Sequence, residues 1–206
     1  LGPEREVMSK MAASAKQKPK RIVLPEGNHP VILRAAHVVA KEGIAHPLLL
    51  GTRDRIGTLA DSLHIPLDGI EILDPLESPF FDEFVRRLFE IRQRKGWTLL
   101  ETQSQLKNPY VFGAMMVREG FVDGQVHGIA QSYPNAIRPA LQVIPLRPGV
   151  NTVAGLYLML MKNRTLLFAD CTVNVEPPSE TLAEIAILTA EMAEFFGIKP
   201  KIAMLS

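Results

Sequence analysis

The chain has 206 residues, 47% apolar and 22% charged, a composition that supports a sizeable buried core without disulfides or a structural metal. Twenty-three Lys and Arg against 22 Asp and Glu leave a formal net charge of +1, which argues against nucleic-acid and membrane-surface partners, since both select a strongly basic face. The single cysteine, Cys171, excludes an internal disulfide framework and fits a reducing, cytoplasmic setting, and no apolar run reaches the length of a bilayer span.

In chain order, residues 4–18 carry Val7, Met8, Met11, Ala12 and Ala15 at the spacing of one helical face, with Lys16 and Lys18 in the last turn and Pro19 as a stop. Arg21 to Leu24 predict a short strand, followed by the turn Pro25-Glu26-Gly27-Asn28 and a helix from about His29 to Lys41 that Gly43 closes. His46 to Leu50 predict a second strand, residues 52–63 another helix and Ile70 to Leu73 a third strand. A helix from Phe80 to about Lys95 stops at Gly96, and short helices are expected around 98–106 and 108–119. Val122 to Val126 read as a strand, Pro134 to Val143 as a helix, and Thr165 to Ala169 as an apolar strand running into Asp170. Pro177-Pro178-Ser179 opens a long helix that ends at Phe196-Gly197. Between these, Val153 to Met161 lacks polar alternation and precedes the turn Lys162-Asn163-Arg164; core filling or a dimer contact would explain it, and it is the run best suited to a dimer contact. A start at Leu1 rather than Met, and a strand-like Ile202 to Ser206 with no helix after it, lead to the expectation of a segment cut from a longer polypeptide, with chain missing on the carboxyl side.

Strands that alternate with helices and are apolar throughout predict a mostly parallel sheet covered on both faces. In such sheets ligands bind at the carboxyl ends of the strands, which selects Pro25 to Asn28, His127 to Asn135, and Asp170 to Asn174. The turn at Pro25 can present backbone N–H groups to an anion, or serve only as a tight connection. Arg92, Arg94 and Lys95 lie in a last helical turn, where solvated cations are common, so a binding role requires one guanidinium to reach a cleft. Arg138 sits near a helix start, where a cation is mildly unfavourable; anion binding, or pairing with Asp123 or Asp170, would explain it. Asp170 and Asn174 follow a buried strand and either cap the turn or face the cleft. The five histidines show no zinc spacing, so no metal is expected, and His127 reads as a hydrogen-bonded structural residue. Cys171 reads as a buried, inert thiol.

Several segments together resemble the phosphate acetyl/butyryltransferase family: Lys20 to Gly27, Arg92-Gln93-Arg94-Lys95-Gly96, Asn108 to Val117, Val122-Asp123-Gly124, Ile137 to Gln142, Phe168 to Asn174, Leu182 to Ala186 and Phe196 to Lys201. The resemblance implies a three-layer α/β, two-subdomain fold like that of isocitrate and isopropylmalate dehydrogenases, incomplete at the C-terminus. A linker helix over 1–18, a first subdomain over 19–147 and the start of a second over 148–206 are expected. It also implies a cleft for acetyl-CoA or acetyl phosphate, assembly as a homodimer or higher homo-oligomer, and anion-binding roles for Arg92 and Arg138; Ser132, Asp170 and Asn174 join them as phosphate- or CoA-binding candidates.

The family carries His-Ser-Thr-Ala-Asp-Thr just before its Arg-Pro pair, whereas this chain has Gln131-Ser132-Tyr133-Pro134-Asn135-Ala136. Only Ser132 keeps a matching hydroxyl and stands as the sole catalytic candidate. The family's catalytic Ser-Arg pair and nearby Asp belong to a later segment that this chain does not contain. The stretch Tyr133 to Pro139 and the region Ala154 to Met159 look like the phosphotransacetylase-like domain of hybrid NADP-dependent malic enzymes of bacteria. The resulting expectation is a non-catalytic module that senses acetyl-CoA and mediates oligomerisation behind malic enzyme domains, which would hold NADP and a divalent metal. An active phosphate acetyltransferase is the alternative, and a purely structural dimerisation domain a third.

Overall fold

A computed structural model describes residues 3–162 and 164–205 of the chain. Leu1, Asn163 of the expected turn, and Ser206 at the end of the expected last strand lie outside the described residues. The chain divides into two compact units, Ala15–Pro145, and Leu1–Ser14 with Leu146–Ser206. Its first helix, α1 (Pro3–Gln17), crosses the boundary between them.

In the unit Ala15–Pro145, strands β1 (Lys20–Leu24), β2 (Ala45–Leu50), β3 (Glu71–Leu73) and β4 (Gly124–Gln125) form a sheet in the order β3-β2-β1-β4, parallel at every pairing. Helices α2 (Pro30–Lys41) and α3 (Arg53–Leu63) connect the first three strands. Helices α4 (Phe81–Arg92), α5 (Leu99–Leu106) and α6 (Pro109–Arg118) lie between β3 and β4, and α7 (Tyr133–Val143) follows β4. The pleat sends alternate residues to opposite faces and so builds two cores. Val23, Leu48 and Leu50 join Phe84, Leu88, Phe112 and Met115 from α4 and α6, while Leu24 and Leu49 join Leu33, Ala36, Ile56 and Ala60 from α2 and α3. Strands buried on both faces explain why their sequence is continuously apolar.

Local chemistry sets the ends. The His29 imidazole caps α2, its Nδ1 accepting from Val31 N–H at 3.2 Å, and Pro30 opens the helix. Thr98 caps α5 through Glu101 N–H, and Asn108 caps α6 through Tyr110 N–H. The expected helix to Lys95 is α only to Arg92; a 3-10 turn, Gln93–Lys95, then leads to Gly96 at φ 87°. Strand β4 is shorter than expected, although Asp123 N–H donates to the Arg21 carbonyl and Val126 N–H to the Val23 carbonyl on either side of it; the Asp123 side chain accepts from Arg21 N–H at 2.8 Å and Lys20 Nζ at 2.7 Å.

In the other unit, β5 (Leu156–Met161) and β6 (Arg164–Ala169) form an antiparallel hairpin in which Leu158 faces Leu167, and α8 (Ser179–Phe195) follows. The run from Val153 forms a strand from Leu156 on, with β6 as its neighbour. The expected strand at Ile202 does not form: residues 202–205 pair with nothing among the described residues, and Leu205 is 95% exposed. A strand needs a neighbour's N–H and C=O groups, and none is supplied there. Among the described residues no helix is long and apolar enough to cross a membrane.

Candidate functional site

The carboxyl ends of β1 and β4 and the first turn of α6 meet around Glu26. β1 delivers Pro25, Glu26 and Gly27 into a buried turn, in which a Cβ on Gly27 would lie 2.6 Å from the Leu50 carbonyl oxygen. Only glycine allows the turn to pass that close to the end of β2. Glu26 is 8% exposed. Its Oε1 accepts from the Tyr110 hydroxyl at 2.9 Å and Ala130 N–H at 2.8 Å, and its Oε2 from Gly128 N–H at 3.0 Å and Ile129 N–H at 3.2 Å. Burial pushes its carboxyl upward, but these backbone donors and the Tyr110 hydroxyl outweigh that and leave it below the ordinary carboxylate value. Tyr110, buried and donating to an anion, is pushed up to about 12. Both groups thus keep fixed roles near neutral pH, Glu26 as acceptor and Tyr110 as donor. The turn at Pro25 to Asn28 makes a tight connection, and an N–H cradle lies at Gly128 to Ala130, where the anion it holds is the chain's own Glu26.

Next to this cluster are two cavities that share Asn108, Tyr110 and Gln131. The larger, about 520 Å³, is also lined by Glu26, Asn28 and His29, and the smaller, about 230 Å³, by Gln105, Asn135 and Arg138. Arg138 makes no ion pair among the described residues; Asp123, one partner considered for it, is engaged at the other end of the strands by Lys20. Ser132 is the N-cap of α7, but its hydroxyl makes no capping bond. Arg92 ends α4 with its guanidinium carbon 5.2 Å from the centroid of the Trp97 ring and its Nε buried without a hydrogen-bond partner. Arg94 and Lys95 are exposed.

His127 differs from the expectation of a hydrogen-bonded histidine. Its ring meets Tyr110 edge-on with centroids 5.2 Å apart, and its Nδ1 is buried with no partner, because the loop's N–H groups turn to Glu26 instead. Burial holds its pKa below the ordinary histidine value, partly opposed by the Glu26 charge.

Asp170 and Asn174 belong to the other unit. Asp170 Oδ1 accepts from the N–H groups of Gly155, Thr172 and Val173, and Oδ2 from Asn174 N–H and its side-chain amide. Burial pushes this carboxyl up, but the donors prevail and hold it down at about 2. The Asn174 amide also donates to Val153 C=O at 2.8 Å. Cys171, expected as buried, is exposed: β6 ends at Ala169 and the loop turns inward on the Asp170 carboxylate, leaving the next side chain in solvent. Among the described residues no group of three or more His, Cys, Asp or Glu could hold a metal ion.

Arg92, Ser132 and Arg138, expected from the sequence, lie in one unit, and Gln131 falls within the expected range His127 to Asn135, whereas Tyr110 and Asn108 were not expected at a site. An Asn-Pro-Tyr start to an apolar helix is a legible signal, since the cap fixes that tyrosine at the helix mouth.

A phosphate acetyltransferase of Nitratidesulfovibrio vulgaris is 42% identical over 192 residues, covering 93% of this chain and 27% of the relative. One of Thermoanaerobacterium thermosaccharolyticum is 40% identical over 207 residues, covering 97% of this chain and 62% of the relative. The crystal structure of a phosphotransacetylase from Streptococcus pyogenes superposes with a TM-score of 0.92 at 36% identity, covering 98% of this chain and 62% of that one. The chain therefore spans roughly a quarter to under two thirds of the length of these relatives. These findings overturn the expectation of a regulatory malic enzyme module, because the relatives matched over nearly the whole chain are named phosphate acetyltransferases. The upstream malic enzyme domains, NADP and the divalent metal expected with it lose their support. The sequence profile of phosphate acetyl/butaryl transferases matches residues 6–206, and the chain belongs to that family.

Proposed function

We propose that this chain forms part of a phosphate acetyltransferase, which exchanges an acetyl group between coenzyme A and phosphate. In the forward direction the thiolate sulfur attacks the acetyl carbon of acetyl phosphate; the new C–S bond replaces the C–O bond, and phosphate leaves with the electron pair. The thiol proton is released on forming the thiolate. Such a reaction needs cationic donors where charge gathers on the departing phosphate, and a scaffold that aligns sulfur and carbon. The observation that carries the reading is Arg138, a guanidinium without a carboxylate partner among the described residues, lining a cavity beside the carboxyl ends of β1 and β4.

In this reading Arg138 grips the phosphate and Ser132 offers the hydroxyl its helix leaves unused, while Arg92, stacked on Trp97 and lining neither cavity, serves as a second guanidinium only if it leaves that ring. Asp170 and Asn174 contribute by ordering the loop after β6, and acetyl-CoA and acetyl phosphate are the substrates. The finer architecture belongs to the same proposal: a linker helix over 1–18, subdomains over 19–147 and 148–206, and the isocitrate dehydrogenase-like arrangement. The half-exposed Tyr157 and Phe168 of the hairpin support assembly as a homodimer or larger oligomer. An assay of acetyl-CoA formation from acetyl phosphate tests the reading. Turnover is expected, with Arg138→Ala raising the KM for acetyl phosphate by about tenfold or more, the effect of losing a charge-assisted contact. Absence of turnover and of acetyl phosphate binding would remove the proposal.

A further inference from the structure

We infer that Glu26 is a positioning residue: its buried carboxylate, held by Tyr110 and by the backbone N–H groups of Gly128, Ile129 and Ala130, fixes the loop that leads through Gln131 into the helix on which Arg138 lines the smaller cavity. The inference rests on the proposed function for what Arg138 binds, but not for how the loop is held.

A carboxylate removed from water is costly unless donors or a cation replace its hydration. Among the described residues Glu26 has no cationic partner; its charge is met by a phenol and by the N–H groups of three successive residues. Successive N–H groups that converge on one point form an anion-binding concavity, and Gly128, at φ 123°, supplies the backbone conformation that begins it. An internal carboxylate in that concavity joins the end of β1 to a loop about a hundred residues later in the chain.

The loop leads directly into the functional residues. Ala130 is followed by Gln131, which lines both cavities, and Ser132 immediately precedes the helix on which Arg138 stands. Tyr110, the other group bound to Glu26, also lines both cavities. One carboxylate thus sets the walls and the mouth of the cavity together, although its own oxygens are occupied and offer no contact to an anion. Charge-assisted hydrogen bonds are short and directional, so they transmit position as well as stability.

The test is a double-mutant cycle in the full-length protein, with acetyl phosphate and inorganic phosphate as probes. Glu26→Gln puts an amide donor among donors and should raise the KM for acetyl phosphate and the Kd for phosphate by about tenfold, as expected for a group displaced by about an ångström, with a smaller change in kcat. In an Arg138→Ala background the same change should cost little more, because what it positions is gone. Hydrogen exchange at the amides of Gly128 to Ala130 and the first turn of α7 should speed up by about tenfold, with the helices of the other face unaffected. Full additivity in the cycle, or unchanged exchange at these amides, would overturn the inference. If Glu26→Gln does not fold, Tyr110→Phe, which removes one donor only, carries the same cycle, with a roughly threefold loss expected to vanish in the Arg138→Ala background. If the unaltered protein neither binds nor turns over acetyl phosphate, the proposed function fails, and the exchange measurement alone decides the inference.

Discussion

Asp170 shows how far one side chain can order a loop. Its two oxygens collect backbone donors from Gly155 and from Thr172 to Asn174, and it is held at about 2 against an ordinary value of 3.8. A carboxyl depressed in the folded state binds its proton more tightly when unfolded. It therefore stabilises the fold fully above its ordinary value, and that contribution drains away as pH falls toward 2. The expected outcome is that Asp170→Asn lowers the melting temperature at pH 7 but much less at pH 2.5, measured by circular dichroism across that range. Gly27 invites a steric test. A methyl group there would press on the Leu50 carbonyl, so Gly27→Ala should cost about 1–3 kcal/mol in urea unfolding. Neither residue's importance is legible from local pattern. Asp170 after a strand is equally a cap or a ligand, and the pressure on Gly27 comes from a strand distant in sequence.

Helix ends give the next scale its predictions. Thr98 makes a capping bond to Glu101 N–H, whereas Ser132 at the start of α7 makes none. Thr98→Ala should accordingly lose about 1 kcal/mol and Ser132→Ala less than about 0.5 kcal/mol, compared by denaturant titration. A Ser132→Ala variant as stable as the parent but poorer in acetyl phosphate binding would separate a ligand role from a capping one. The helices and strands of the Ala15–Pro145 unit were legible because apolar spacing and caps are local, and Pro30, Pro109 and Pro134 mark three of the helix starts. The strand expected at Ile202 does not form, and the pairing of Leu156–Met161 was not legible. Both runs are apolar without a clear period, and whether such a run becomes a strand depends on the presence of a neighbour.

For the whole molecule, the unit Ala15–Pro145 holds its own parallel sheet with a core on each face. It should unfold as one cooperative transition, and Phe84→Ala, removing a fully buried ring that packs on Phe112 and Phe121, should destabilise it by about 3–5 kcal/mol in guanidinium titration. The amino-acid sequence by itself determined the alternation of strand and helix, the parallel sheet and the membership of a family, because periodicity, caps and motif order are properties of neighbours along a chain. Only the tertiary structure decided that Glu26 is buried against a loop about a hundred residues away, that Tyr110 and Gln131 join two cavities, and that the hairpin strands pair antiparallel. Each of those outcomes depends on which distant groups meet a donor or acceptor once water is excluded, a condition that exists only after the chain has packed.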